Sequence, residues 1–114
     1  MTDFARDLSV LIDEGCIAPK GKIIRFSFAH PDRLEGNLEM LGLSERAYNC
    51  CRRSRIDCIE DVNERWGELV RMKGAGKKTV KDVRNKFLSF YYDTLNDEER
   101  KQFWRDTVRE TIGI

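Results

Sequence analysis

"KGAGKKT", Lys73 to Thr79, is the stretch on which the reading of this protein turns. Glycines, lysines and a threonine are the ingredients of an anion-binding loop, so the first question is whose phosphate it holds. A nucleotide loop needs G-x-x-x-x-G-K-[ST] between a buried strand and a helix. Here Gly74 and Gly76 are one residue apart, Lys77 is followed by Lys78, and the preceding "ELVRM" reads as a helical turn. Spacing and context both fail. What fits is a helix, a tight hairpin and a second helix, with Leu69, Val70 and Met72 before Gly74-Ala75-Gly76, and Val80 and Val83 after it. The glycines permit positive φ and a backbone turn too tight for side chains. The new helix begins with unsatisfied N–H groups and the positive end of its dipole, and Lys77, Lys78 and Thr79 add donors beside them. Such a donor set suits a phosphate on a nucleic-acid strand. A plain helix-to-helix turn with solvated lysines is the alternative.

Working outward, the charge pattern agrees. The 114 residues carry a formal net charge of +1, but it is unevenly spread. Residues 41–90 hold twelve Lys/Arg against seven Asp/Glu, whereas residues 1–40 hold five against seven and residues 91–114 four against six. The basic charge therefore gathers around the glycine loop.

Downstream, "KKTVKDVRNKFLSFYY" has helical spacing, with Val80, Val83, Phe87, Leu88 and Tyr91 on the inner face. Asn96 is a cap for a last helix that carries Asp97, Glu98 and Glu99 in its first turn and Phe103, Trp104, Val108 and Ile112 as apolar residues. Upstream, Ser44 caps a helix in "LSERAYNCCRRS", with Ala47, Tyr48 and Cys51 turned inward, and "IDCIEDVNERW" gives another short helix. The start, "TDFARDLSVLIDEG", reads as a helix with Phe4, Leu8, Leu11 and Ile12 on one face. "CIAPKGKIIRFSF" changes character: a Pro-Lys-Gly turn and near-alternating Ile23, Ile24, Phe26 and Phe28 predict a short strand or hairpin. The expected fold is mainly α, a compact bundle of short helices around a helix-hairpin-helix, with that small β element near the N-terminus.

Taken together, "LGLSERAYNCCRRSRIDCIEDV" and "GAGKKTVKDVRNKF" resemble the C-terminal domain of the bacterial RNA polymerase alpha subunit. "LSERAYNC" and "GKKT" are its specific pieces, and the likeness covers about residues 38–92. The resemblance implies a small helical domain that binds the minor groove of A/T-rich promoter DNA. It implies DNA contacts at Arg46, Asn49 and Cys50 on one helix, and at Gly76, Lys78, Thr79 and Asp82 around the hairpin; the hairpin chemistry above adds Gly74 and Lys77. Arg46 and Asn49 are three apart and share a helix face. An arginine suits a narrow A/T minor groove, whose negative potential is enhanced, and asparagine can bond the acceptors that A·T pairs present there. The resemblance divides the sequence into an N-terminal extension at 1–37, the family-like domain at 38–92 and a C-terminal helix at 93–114. In the family a large assembly domain and a linker come first; if Met1 is the natural start, this protein would not take the normal subunit's place in polymerase.

The partners expected are double-stranded DNA, with RNA polymerase or a transcription factor as further candidates, and neither membrane nor small-molecule substrate. No enzyme activity and no cofactor is expected, since His30 is the only histidine and no nucleophile–base pair stands out. Adjacent Cys50 and Cys51, with no C-x-x-C pair, argue for reduced buried thiols over a zinc site. The absence of a signal-like start, with reduced cysteines, points to a cytoplasm, and the resemblance implies that it is bacterial and that the protein is nucleoid-associated. Arg52 to Arg55 read as a solvated helix end. Two rival readings remain: an adaptor of the same fold that binds protein, and a structure-selective accessory of DNA repair that would not need Arg46.

Overall fold

The computed structural model describes residues 2–13 and 24–112. The protein divides by its contacts into two units, one made of Met1–Pro31 with Tyr92–Ile114, the other of Asp32–Tyr91. The grouping follows contacts and not sequence order: the two ends belong together, and residues 32–91 stand as a unit of their own.

That central unit is built from short helices whose ends are set by local chemistry. A 3₁₀ turn at Leu38–Leu41 buries Leu38 and Leu41 and ends at Gly42, which is left-handed at φ 66°. Helix α2, Glu45–Arg53, starts at Ser44, whose hydroxyl accepts from the Ala47 N–H at 3.2 Å. Its other end is a Schellman motif: the Ile56 N–H donates to the Cys51 carbonyl at 2.9 Å and the Arg55 N–H to that of Arg52 at 3.1 Å. Ile56 and Cys51, the apolar pair that goes with this motif, are both buried.

Helix α3, Ile59–Glu64, follows, with Glu60 and Asp61 in its first turn. The Asp61 carboxylate accepts from the Asp57 N–H at 2.9 Å, which holds its pKa below the usual carboxylate value. A single antiparallel bridge, Asn37 with Cys58, and the bond from the Ile59 N–H to the Gly36 carbonyl tie the loop before α2 to the start of α3. "WGELVR" forms a 3₁₀ turn, Trp66–Arg71, that buries Leu69 and leads through buried Met72 into the glycine hairpin. Helix α4, Lys77–Asp93, then places Val80, Val83, Phe87, Leu88 and Tyr91 inside, as their spacing predicts.

The terminal unit packs around rings. Helix α1, Asp3–Asp13, buries Phe4, while Leu8 and Leu11 are half-buried and Ile12 is exposed, so the expected apolar face is only partly used. Helix α5, Asp97–Ile112, starts with a capping box: the Glu99 N–H donates to Asn96 Oδ1 at 2.9 Å, and the Asn96 N–H to Glu99 Oε1 at 3.0 Å. Phe4, Phe26, Tyr92, Phe103 and Trp104 meet with ring centroids 5.0–6.1 Å apart. Spacings in this range are favourable for aromatic pairs beyond the area they bury. The Trp104 indole N–H donates to the Tyr92 hydroxyl at 2.8 Å, and that hydroxyl donates to Asp7 at 2.6 Å, so the polar edges inside the cluster are satisfied.

The strand expected near the N-terminus is not formed among the described residues. Ile24 to Phe28 carry no regular secondary structure, and residues 14–23 of that expectation lie outside the described residues. The backbone of this segment finds a hydroxyl where a ladder would need a strand: the Arg25 N–H donates to Thr111 Oγ1 on α5 at 2.9 Å. Among the described residues no helix is long and apolar enough to cross a membrane.

Candidate nucleic-acid interface

The starts of α2 and α4 come together in one open concavity of about 580 Å³, lined by Ser44 and Arg46 from the first and by Gly76, Lys78, Thr79, Lys81, Asp82 and Asn85 from the second. Residues 30 or more positions apart in sequence thus share one surface. Arg46, Lys78 and Lys81 are exposed, so their cationic heads meet solvent where a polyanion could lie.

Each expected contact can be placed. Arg46, Gly76, Lys78, Thr79 and Asp82 line the concavity. Asn49 is exposed on α2 one turn beyond Arg46 but does not line it, and neither Gly74, exposed in the hairpin, nor Lys77, exposed at the first position of α4, is among the lining residues. Thr79 is only 8% exposed, so little more than the edge of its side chain reaches the surface.

Cys50 departs from the expectation. It is fully buried with Ala47 and Cys51, which are its neighbours at three and one positions on the inner face of α2. Its sulfur accepts a long contact from Arg53 at 3.8 Å, and it adds nothing to the face on which Arg46 and Asn49 stand. Burial pushes the thiol of Cys51 up to about 11, with the neighbouring Cys50 adding to the shift. Cys51 is thus a protonated, packed thiol against Met72, 3.9 Å from its sulfur. Among the described residues no group of histidines, cysteines or carboxylates is arranged to hold a metal ion.

The hairpin uses its glycines differently. Gly74 is left-handed at φ 80°, a conformation side chains rarely adopt. Gly76 is not at positive φ, and a Cβ built on it would meet no protein atom. Its carbonyl accepts the first bond of α4, from the Val80 N–H at 3.1 Å, which makes it the cap position. A glycine there brings no side-chain acceptor to the N–H groups of the first turn, and it keeps the approach to them open.

Lys81 and Asn85 are lining residues that sequence reasoning does not single out, and Ser44, expected only as a helix cap, is a third that it does not place in the site. Lys78, Lys81 and Asn85 follow a helical stripe of three and four, a signal already present in "KKTVKDVRN".

Residues 28–88 match the family described as the C-terminal domain of the bacterial RNA polymerase alpha chain. Among curated proteins, the DNA-directed RNA polymerase subunit alpha of Desulforudis audaxviator (strain MP104C) is 36% identical over 67 residues. That alignment takes in 58% of this sequence and 21% of the relative, so the likeness spans about a fifth of the relative's length. No solved structure matches. With more than half of its residues matching, and with the helix–hairpin–helix those residues build, the protein belongs to the family of C-terminal domains of the bacterial RNA polymerase alpha subunit.

Proposed function

We propose that residues 32–91 bind double-stranded DNA without enzymatic activity, and that the concavity between the starts of α2 and α4 straddles the minor groove of A/T-rich sequence in transcription or its regulation. The observation that carries this reading is the convergence of Arg46 with Gly76, Lys78 and Thr79 on one open surface. Arg46 enters the groove, where A·T stretches concentrate negative potential. Asn49, on the same exposed helix face, bonds base-edge acceptors or the adjoining backbone. Lys78 and the first-turn N–H groups of α4 hold a flanking phosphate, which fixes the register in which Arg46 reads. RNA polymerase or a transcription factor is a further partner that family membership supports.

Titration of the protein on A/T-rich and G/C-rich duplexes at two salt concentrations tests the reading. Tighter binding to the A/T-rich duplex at both salts is expected, with the logarithm of affinity falling linearly against the logarithm of salt. Equal binding to both duplexes would remove the minor-groove reading, and no binding to either would favour the adaptor.

A further inference from the structure

Two side chains of α4 reach back to the loop that leads into α2. The Ser44 N–H donates to Asp82 Oδ2 at 3.3 Å, and Lys86 Nζ donates to the Gly42 carbonyl at 3.1 Å. Asp82 and Lys86 are four apart and so stand on one face of their helix. The loop therefore offers an N–H to the carboxylate and a C=O to the ammonium, two residues apart in sequence. Gly42 is held left-handed, and Ser44 in turn caps α2 through the Ala47 N–H. A carboxylate at this point also faces the positive end of the α2 dipole.

We propose that Asp82 and Lys86 are positioning residues that clip the entrance of α2 to α4, and so set the distance and angle between Arg46 and the phosphate-holding start of α4. The inference rests on the DNA-binding reading above, and it gives Asp82 a different part from the DNA contact that the resemblance implies. An acid in the middle of a basic groove repels phosphate and by itself costs affinity. Its place is explained if the carboxylate is spent on the protein's own backbone. The clip acts at one end of each reading element: Asp82 lies three residues after Thr79, and Ser44 two before Arg46. Loss of the clip frees the α2 start to shift against α4, and a shift there disturbs groove reading more than it disturbs non-specific phosphate attraction.

The test uses the full-length protein in three variants, Asp82→Ala, Asp82→Asn and Lys86→Ala, titrated on short A/T-rich and G/C-rich duplexes. Asp82→Ala is expected to bind A/T-rich duplex about tenfold more weakly, with a smaller loss on G/C-rich duplex, so the preference narrows. Asp82→Asn loses less, because its amide oxygen still accepts from the Ser44 N–H. Lys86→Ala narrows the preference with the salt slope unchanged. Tighter binding of folded Asp82→Ala to both duplexes would overturn the proposal, since the acid would then act on DNA by repulsion alone. A salt slope reduced by about one in Lys86→Ala, with the preference intact, would make Lys86 a phosphate contact and also sink it. Should Asp82→Ala fail to fold, the other two variants carry the same comparison. Hydrogen exchange at the Ser44 amide in the free protein separates this proposal from the function it rests on. Exchange faster in Asp82→Ala than in the wild type follows the loss of the acceptor even if the wild type proves indifferent to A/T content; unchanged exchange means there is no clip.

Discussion

At φ 62°, Arg55 holds a backbone conformation that belongs to glycine, and it does so at the position where a Schellman motif requires it. A left-handed L-residue costs about 1 kcal/mol, which the two closing bonds of α2 and the buried Ile56 offset. Arg55→Gly is therefore expected to raise stability by about 0.5 kcal/mol, less than the strain relieved because glycine also loosens the unfolded state. Denaturant midpoints of the two proteins check it; a lower midpoint would show that the Arg55 guanidinium and its stem stabilise by more than the backbone costs. Arg46 is a different case, an exposed cation whose removal leaves no hole. Arg46→Ala should weaken binding to A/T-rich duplex by about 1–3 kcal/mol and leave the melting temperature nearly unchanged. Unaltered affinity in the folded variant would count against minor-groove insertion. Arg46 is legible as a surface residue because its partner at three positions, Asn49, is polar. The burial of Cys50 is open to the same arithmetic. It stands three after Ala47, an inward residue, and cysteine behaves as a small apolar side chain, so the periodicity of α2 itself puts it inside.

Among the elements, the hairpin separates two uses of glycine. Gly74 needs its freedom for the turn, whereas Gly76 is bare where α4 opens toward the concavity. Gly74→Ala is expected to cost about 1 kcal/mol of stability through its strained φ. Gly76→Ala should melt close to wild type yet bind DNA more weakly, because the new methyl takes up open space at a residue that lines the concavity beside the start of α4. Thermal melts paired with titrations decide it, and a Gly76→Ala protein that binds like wild type would mean that the phosphate does not approach the helix start. Helices α2, α4 and α5 are readable from sequence because each has a cap, an apolar period or both: Ser44 with Ala47 and Cys51, the run from Val80 to Tyr91, and Asn96 with Glu99. The strand expectation fails for a physical reason that no local pattern contains. Alternation in Ile24 to Phe28 only says that the segment is half-buried, and a strand exists only if another strand offers it a ladder. Here Thr111 supplies a hydrogen-bond partner and Phe4 and Phe103 supply the packing for Phe26. The concavity is partly legible, since "GKKT" and "SERAYNC" each mark a helix start, but their meeting depends on contacts between residues far apart in the sequence.

For the molecule as a whole, the two units carry separate alkaline weak points. In the central unit burial raises Cys51 to about 11, and in the terminal unit burial, with the Asp7 hydrogen bond next, raises Tyr92 to about 12. Both groups are neutral when protonated, and both hold that proton more tightly folded than unfolded. The stability linked to them is thus fully present below their ordinary values of 9.0 and 10.0 and drains away as pH rises through the folded ones. Melting temperature should be level near neutrality and fall above about pH 9, the central unit yielding first. A Cys51→Ala protein, less stable overall from its cavity, should show a shallower decline between about pH 9 and 11. A wild-type melting temperature that stays level to about pH 11 would contradict this. The distribution of the two tryptophans makes such an experiment direct. Trp66 lies against Phe87 with the Arg84 guanidinium 5.3 Å from its ring centroid, in the central unit, and Trp104 donates to Tyr92 inside the aromatic cluster of the terminal one. Each unit thereby contains its own fluorophore. Single-tryptophan versions, Trp66→Phe and Trp104→Phe, would let emission spectra follow the central unit and the terminal unit separately, with no dye attached.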